Sequence, residues 1–446
     1  MKMQRKIVLV GAVVLVSIAA SWLILAQRRP EWSTVNKAAL AEFELGQQAM
    51  AKIYWDEAGA HFRKATELDP SFVVARLFLL LSNEKRTDQD RKDAFGWLKK
   101  ADPSVLQPRE RFLLGYYMSR FDKNEAAAEK ILANYLHDEP DDPWALNLEG
   151  QLQVGRQDWD AAEKTFLRLT EVAPNRVEAY NQLGYLALAR GRFDEGEKMF
   201  RTYMYLAPDQ ANPHDSLGEL LALAGHYDEA REQFEQALRD KPDFCASYQH
   251  LLDTAMLEGN PAGVDAVIER ARTVGKCGEK AVLEMKCGFS VFNALLTADW
   301  DGAWKAALGP CAESHASSEL ARYQAGVRSG RLAEVSAWEA KVRQEVEKPG
   351  GKSYPSQAAA LDYMVGVRKL AEGNPAEAAT HFARADSLLT YRGIADGGLF
   401  KLFNRQIWYE ALVQSGQKDA ASNLLAETRT VNAPFADLMV RRAEPH

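Results

Sequence analysis

Four cysteines in 446 residues, none in a C-x-x-C pair, leave no frame for a zinc ribbon, a dithiol redox centre or a C-x-x-C-H haem site. Two readings stay open for Cys245, Cys277, Cys287 and Cys311. They are four buried small residues, as free cysteine usually is, or they form one or two disulfides, which need an oxidising compartment. Positive charge is also short. The chain has 55 Lys and Arg against 62 Asp and Glu, a net charge of −7, which argues against a nucleic-acid partner because phosphate binding needs a basic face. The signatures G-x-x-x-x-G-K-[ST], H-E-x-x-H and G-x-S-x-G are missing. His214-Asp215-Ser216 has the residue types of a triad, but neighbours on a helix point in different directions, and a triad is defined by spatial roles. Gly397-Gly398 follows no strand and reads as a turn, not a phosphate loop. No enzymatic activity, cofactor or metal is therefore expected. Runs of alternating β-formers are absent as well, which excludes a sheet protein.

What the chain does have is a period. In Pro143–Pro174, Val177–Pro208 and Ala211–Pro242 the same residue types recur every 34 positions. Gly150, Gly184 and Gly218 share one column, then Ala162, Gly196 and Ala230, then Phe166, Phe200 and Phe234. Pro174, Pro208 and Pro242 close the units. Within Val177–Pro208 the residues Tyr180, Leu183, Gly184 and Ala187 make one helical stripe, and Phe193, Gly196, Phe200 and Tyr203 a second, with Gly191 at the turn between them. Small residues at 184 and 196 let two helices approach, and the aromatic fills the space beside them. Each pair leaves an apolar face open and is stable only when stacked on neighbours.

This pattern resembles the tetratricopeptide repeat. The resemblance implies an all-α, right-handed α-solenoid of helix pairs whose work is to hold other proteins. Residues 39–70 (Leu45-Gly46, Ala49, Ala58, Phe62, Ala65) fit the columns, and 71–140 fit as slipped, degenerate repeats. Tyr248, Leu251, Ala255, Gly259, Ile268 and Ala271 continue them after Pro242. The solenoid is expected over 36–348. The turn-rich stretch 349–355 breaks it, degenerate pairs follow over 356–430 (with Gly366, Ala378 and Phe382 in column), and 431–446 reads as a tail.

At the other end, a short tail (1–6) precedes Ile7–Ala26, twenty residues without a charge, long enough as a helix to cross a bilayer. A cleaved signal peptide is the alternative, but the apolar run continues past the small residues at Ser17-Ile18-Ala19. Trp22 and Trp32 would suit a membrane interface, and 27–35 reads as a linker. The expectation is a single-pass signal-anchor in the inner (cytoplasmic) membrane, N-terminus inside, with the repeats in the periplasm, an arrangement similar to tetratricopeptide scaffold proteins of the bacterial envelope.

The resemblance also implies a ligand groove lined by the second, fifth and ninth positions of each unit. These are Trp144, Asn147 and Gln151, then Glu178, Asn181 and Tyr185, then Asn212, Asp215 and Glu219, with Gln249 and Asp253 from the next. The stripe is rich in amides and carboxylates and has no Lys or Arg. On an exposed concave face it would suit an extended peptide with basic segments, and charge reversal there would leave the fold intact. Family members that clamp a chaperone's terminal carboxylate use lysines, arginines and asparagines, and only Asn181 fits that scheme, with Tyr185 and Ser216 where clamp residues would be needed. The expected function is a membrane-tethered scaffold for partner proteins or peptides, aiding assembly, secretion or folding in the envelope. The alternatives are an accessory module of an enzyme complex and a cytoplasm-facing protein like an import receptor.

Overall fold

In five places a helical glycine lies against a phenylalanine sixteen residues further on: Gly46 with Phe62, Gly150 with Phe166, Gly184 with Phe200, Gly218 with Phe234 and Gly366 with Phe382. A Cβ at any of these glycines would come within 3.0 Å of the ring, closer than carbon atoms tolerate. The column is therefore glycine because two helices approach around an inserted aromatic. All five rings are fully buried. This contact recurs through a computed structural model that describes residues 31–82, 87–308, 310–311, 319–348 and 355–443. Among the described residues the elements are helical and none is a strand. The chain divides into two compact units, one ending at Leu148 and one beginning at Glu149.

The first unit contains α1 (Lys37–Ala51), α2 (Trp55–Leu68), α3 (Val73–Leu81), α4 (Asp88–Leu98), α5 (Pro108–Phe121), α6 (Glu125–Asp138) and the start of α7 (Pro143–Gly155). Asn36 caps α1, its side-chain oxygen accepting from the backbone N–H groups of Ala38 and Ala39. The core is aromatic. Phe43 meets Trp32, Phe62, Phe72 and Phe78 at centroid distances of 5.0–5.5 Å, mostly edge to face, the arrangement ring quadrupoles favour. The stretch read as a linker is tied down. The buried carboxylate of Glu110 on α5 accepts from the Ser33 N–H and hydroxyl, both at 3.0 Å.

The second unit continues with α8 (Trp159–Val172), α9 (Val177–Ala189), α10 (Phe193–Leu206), α11 (Ala211–Leu223), α12 (Tyr227–Asp240), α13 (Cys245–Glu258) and α14 (Val264–Thr273). Gly191 turns α9 into α10 at φ +72°, a backbone region that glycine enters without steric cost. Successive pairs stack, α10 on α11 and α12 on α13. Next come α15 (Glu279–Leu296), α16 (Trp300–Ala306), α17 (Glu319–Arg328), α18 (Leu332–Val346), α19 (Pro355–Ala371) and α20 (Pro375–Leu388). Two disulfides staple this region, Cys245–Cys277 and Cys287–Cys311, so the reading of four free cysteines is set aside.

A π-helical turn, Ile394–Gly398, leads into α21 (Leu399–Gln414), α22 (Lys418–Val431) and α23 (Ala433–Ala443). Residues 433–443, read as tail, are helical because Phe435, Leu438 and Met439 form a buried stripe. That stripe joins a core shared with α11, α12 and α13. Asn432, fully buried, links the two ends of this core. Its Nδ2 donates to the carbonyls of Ala222 (3.3 Å) and Leu223 (3.1 Å), which end α11. Its Oδ1 accepts from the Tyr227 hydroxyl and the Phe435 N–H.

The expected localisation needs correction. Among the described residues no helix is long and apolar enough to cross a membrane, and this overturns a single-pass inner-membrane protein with periplasmic repeats. Ile7–Ala26 itself lies outside the described residues, as does most of the 349–355 break. Trp32 is not an interfacial anchor, because it is 5% exposed and packed on Phe43.

Candidate functional site

The helices α9, α11 and α13 present their polar stripe on one side of the second unit. The repeat sets residues 34 apart beside one another, so Tyr185, Glu219 and Asp253 occupy equivalent places on the three helices. The Tyr185 hydroxyl donates to Glu219 Oε1 at 2.6 Å, with Ser216 Oγ 3.1 Å from the same hydroxyl. Ser247 Oγ donates to Asp215 Oδ1 at 2.6 Å, and His250 Nδ1 lies 3.0 Å from that oxygen. On its other side His250 Nε2 is 3.9 Å from Glu219 Oε2. Gln249 Nε2 donates to Asp253 Oδ1 at 2.8 Å, and the buried Asn212 donates to the Tyr203 hydroxyl.

The second oxygen of Glu219 accepts the backbone N–H of Ile394 at 2.7 Å, from 175 residues downstream. Gly393 brings that N–H into place at φ +74°. A Cβ there would sit 3.1 Å from Glu219 Oε2 and 3.2 Å from the Tyr185 ring, so a side chain would crowd both groups in addition to straining the backbone. Tyr391 packs edge-on to Phe193, and Gly398 lies against Leu223. The segment 391–398 thus covers the stripe at Tyr185 and Glu219.

Cover and charge together explain the protonation states. Burial alone would lower the His250 pKa, but the Asp215 and Glu219 carboxylates reverse that and raise it to about 10. Burial pushes the Glu219 carboxyl up, against the pull of His250 and of its Tyr185 and Ile394 donors. Asp253 is pushed up to about 6 by burial, against His250 and the Gln249 amide. Burial and the neighbouring Glu219 and Asp215 push the Tyr185 hydroxyl well up. The group is an imidazolium held between two carboxylates, with a third carboxylate at its edge. Asp215, Glu219 and His250 bring ligand-type atoms within 4.8 Å of one another, a spacing that could hold a cation. Metal ligation needs a neutral imidazole, whereas the flanking Asp215 and Glu219 carboxylates favour the protonated one.

Of the residues expected to line an open groove, Asn181, Asn212, Asp215, Glu219 and Asp253 are buried. The exposed placement is corrected for these five. The Tyr185 and Ile394 donors and the 391–398 segment remove Glu219 from water, and lysines at 215, 219 and 253 would be buried charges, not surface changes. Gln151 is exposed, while Glu178, Tyr185 and Gln249 are half-buried. Glu178 pairs with Arg176. Trp144 and Asn147 belong to the first unit, where the Trp144 ring meets Phe78 edge-on at 5.4 Å. Sequence reasoning missed His250 and Ile394. The 34-residue period could have found His250, since it sets that residue beside the column of Ser216. No periodic signal points to Ile394.

A 550 Å³ cavity opens beside Asp253, between α13, α15 and α21. Met256, Met285, Phe292 and Phe403 form apolar walls, and Ile394 and Gly397 contribute one edge.

Comparison with known proteins agrees with the columns. The tetratricopeptide repeat family model matches residues 175–242, so this stretch of the chain consists of tetratricopeptide repeats. No curated protein matches it. Among solved structures it is similar to PilW, described as a widely conserved type IV pilus biogenesis factor, at 15% identity over 56% of this chain and 94% of that one, TM-score 0.35. Pseudomonas aeruginosa PilF matches at 15% identity over 54% of this chain and 94% of that one, TM-score 0.31. Yeast Tom70 matches at 15% identity over 86% of this chain and 97% of that one, TM-score 0.41.

Proposed function

We propose that this chain is a protein-interaction scaffold that holds a partner through an extended basic segment on the polar stripe that α9, α11 and α13 present with Gln151, and so assists the assembly, secretion or folding of that partner. The observation that carries this reading is the stripe itself, a file of amides and carboxylates without Lys or Arg on a repeat whose family is tetratricopeptide. Its accessible members, Gln151, Glu178 and Gln249, can bond a peptide backbone, and a Lys or Arg side chain of the partner would take the place that Arg176 holds on Glu178. The buried members fix the helices that carry them. No catalytic role is proposed.

Panels of immobilised peptides graded in charge test this. Basic peptides should be retained over acidic ones, with retention falling as salt rises. Gln151→Lys with Glu178→Lys should weaken retention, since like charges then face each other. Retention indifferent to peptide charge and to both substitutions would overturn the proposal.

A further inference from the structure

We infer that the cavity between α13, α15 and α21 seats one residue pair of that partner, an apolar side chain beside a lysine or arginine whose cationic head rests on Asp253. The inference rests on the scaffold reading and names what this part of the surface recognises.

The argument begins with charge. Among the residues lining the cavity the charged ones are Asp253 on α13 and Glu284 on α15, and none is basic. Glu284 has Lys280 of its own helix at 3.9 Å. Asp253 is 4% exposed and accepts one protein hydrogen bond, from Gln249. Three carboxylates, Asp215, Glu219 and Asp253, surround the single imidazolium of His250. Asp215 and Glu219 flank its two nitrogens, and each accepts further donors. The negative charge left over therefore lies at Asp253, on the cavity wall. A buried carboxylate with one donor is costly, and a cation placed against it relieves that cost with a charge-assisted hydrogen bond.

The shape argument is independent. About 550 Å³ lined by Met256, Met285, Phe292 and Phe403 exceeds what one ammonium group needs and suits apolar groups. Methionine walls adapt to ligands of varied outline, and lysine and arginine bury their stems along apolar surface while the head seeks charge. The edge formed by Ile394 and Gly397 is held by the Ile394–Glu219 hydrogen bond, so the cavity is preformed. Asp253 also lies in the same repeat column as Glu219 and Tyr185, at the end of the stripe where a bound segment would arrive.

Calorimetric titration of the whole chain with the peptide acetyl-Leu-Lys-Phe-Lys-Leu-amide tests the site. A twin peptide carries norleucine in place of both lysines, and phenethylamine is the free-amine control. The lysine peptide should bind about tenfold tighter than its twin. Asp253→Asn, which preserves shape, should remove that preference while leaving the twin's affinity unchanged. Ala281→Trp, at the half-buried edge of the cavity, should abolish both interactions. Circular dichroism checks that each variant keeps its helices. Equal binding of the lysine peptide to wild type and Asp253→Asn would overturn the inference and leave the scaffold reading standing. Phenethylamine binding as tightly as the peptide would overturn the partner assignment in favour of a free amine. No binding by any probe would overturn the cavity as a site, with the peptide panels still deciding the broader proposal.

Discussion

The hydroxyl of Tyr227 donates to the side-chain oxygen of Asn432 at 3.0 Å, across 205 residues of sequence. The same asparagine donates to the two carbonyls that end α11 and accepts the N–H of Phe435 at the start of α23. Every hydrogen-bonding position of the amide is filled in a place closed to water.

Asn432→Ala should therefore destabilise the second unit by roughly 1–3 kcal/mol, because the Leu223 carbonyl loses its side-chain donor and the Phe435 N–H its acceptor, while Tyr227 keeps the Leu257 carbonyl and Ala222 keeps the Gly225 N–H. Asn432→Asp should cost as much or more, since its carboxylate would face carbonyl oxygens. Urea denaturation followed by circular dichroism measures both, and an unchanged midpoint would contradict the role.

Gly184→Ala places a methyl group inside the contact distance of the Phe200 ring. Overpacking of this kind costs about 1–3 kcal/mol. Adding Phe200→Leu should recover part of the loss, so that the two effects are not additive. Additive melting temperatures would mean that the two residues do not share the contact.

The His250 pKa, about 10 against an ordinary 6.5, sets a sign. A raised folded value means stabilisation that is complete below pH 6.5 and lost as pH rises through about 10. Asp253, raised to about 6 from 3.8, contributes in the same sense over a lower window, from below pH 4 to about 6. His250→Gln should cost about 3 kcal/mol at pH 6.5, because two buried carboxylates lose their counter-charge. The difference between wild type and variant should shrink towards pH 10.5. A difference that stays constant from pH 6.5 to 10.5 would show that His250 is neutral.

Cys245–Cys277 closes a loop with a sequence separation of 32. Chain-entropy arguments assign such a link about 3–4 kcal/mol, so Cys245→Ser with Cys277→Ser should lower the denaturation midpoint in proportion. Thiol counting on the denatured, unreduced protein should find Cys245, Cys277, Cys287 and Cys311 all blocked. Four titratable thiols would contradict both bridges.

The columns Gly150, Gly184 and Gly218 with Phe166, Phe200 and Phe234 were legible in the sequence because local packing repeats and leaves a period. Gly46–Phe62 and Gly366–Phe382 were legible as echoes of them. The polar stripe reads from sequence as an exposed face, whereas Asn181, Asn212, Asp215, Glu219 and Asp253 are buried. Its burial depends on Ile394 and Gly393, which approach Glu219 from 175 residues away, and one chain carries no sign of such a pairing. The alignment of Tyr185 with Glu219, by contrast, was implicit in the period. Residues stacked at equal register face one another, and a phenol facing a carboxylate will bond to it. Asn432 was invisible for the same reason as Ile394, since a polar residue before a short apolar stripe looks like the start of a tail.

An array of repeats that touches only its neighbours can fray from its last member inwards, each loss leaving the rest much as it was. The Asn432 link changes that for the second unit. Melting α23 would take the Asn432 amide from the Leu223 carbonyl and uncover the apolar surfaces of α12 and α13, so α23 cannot be shed without disturbing the middle of the array. For the second unit this makes α23 a part of the fold of the middle repeats and not an appendage to them.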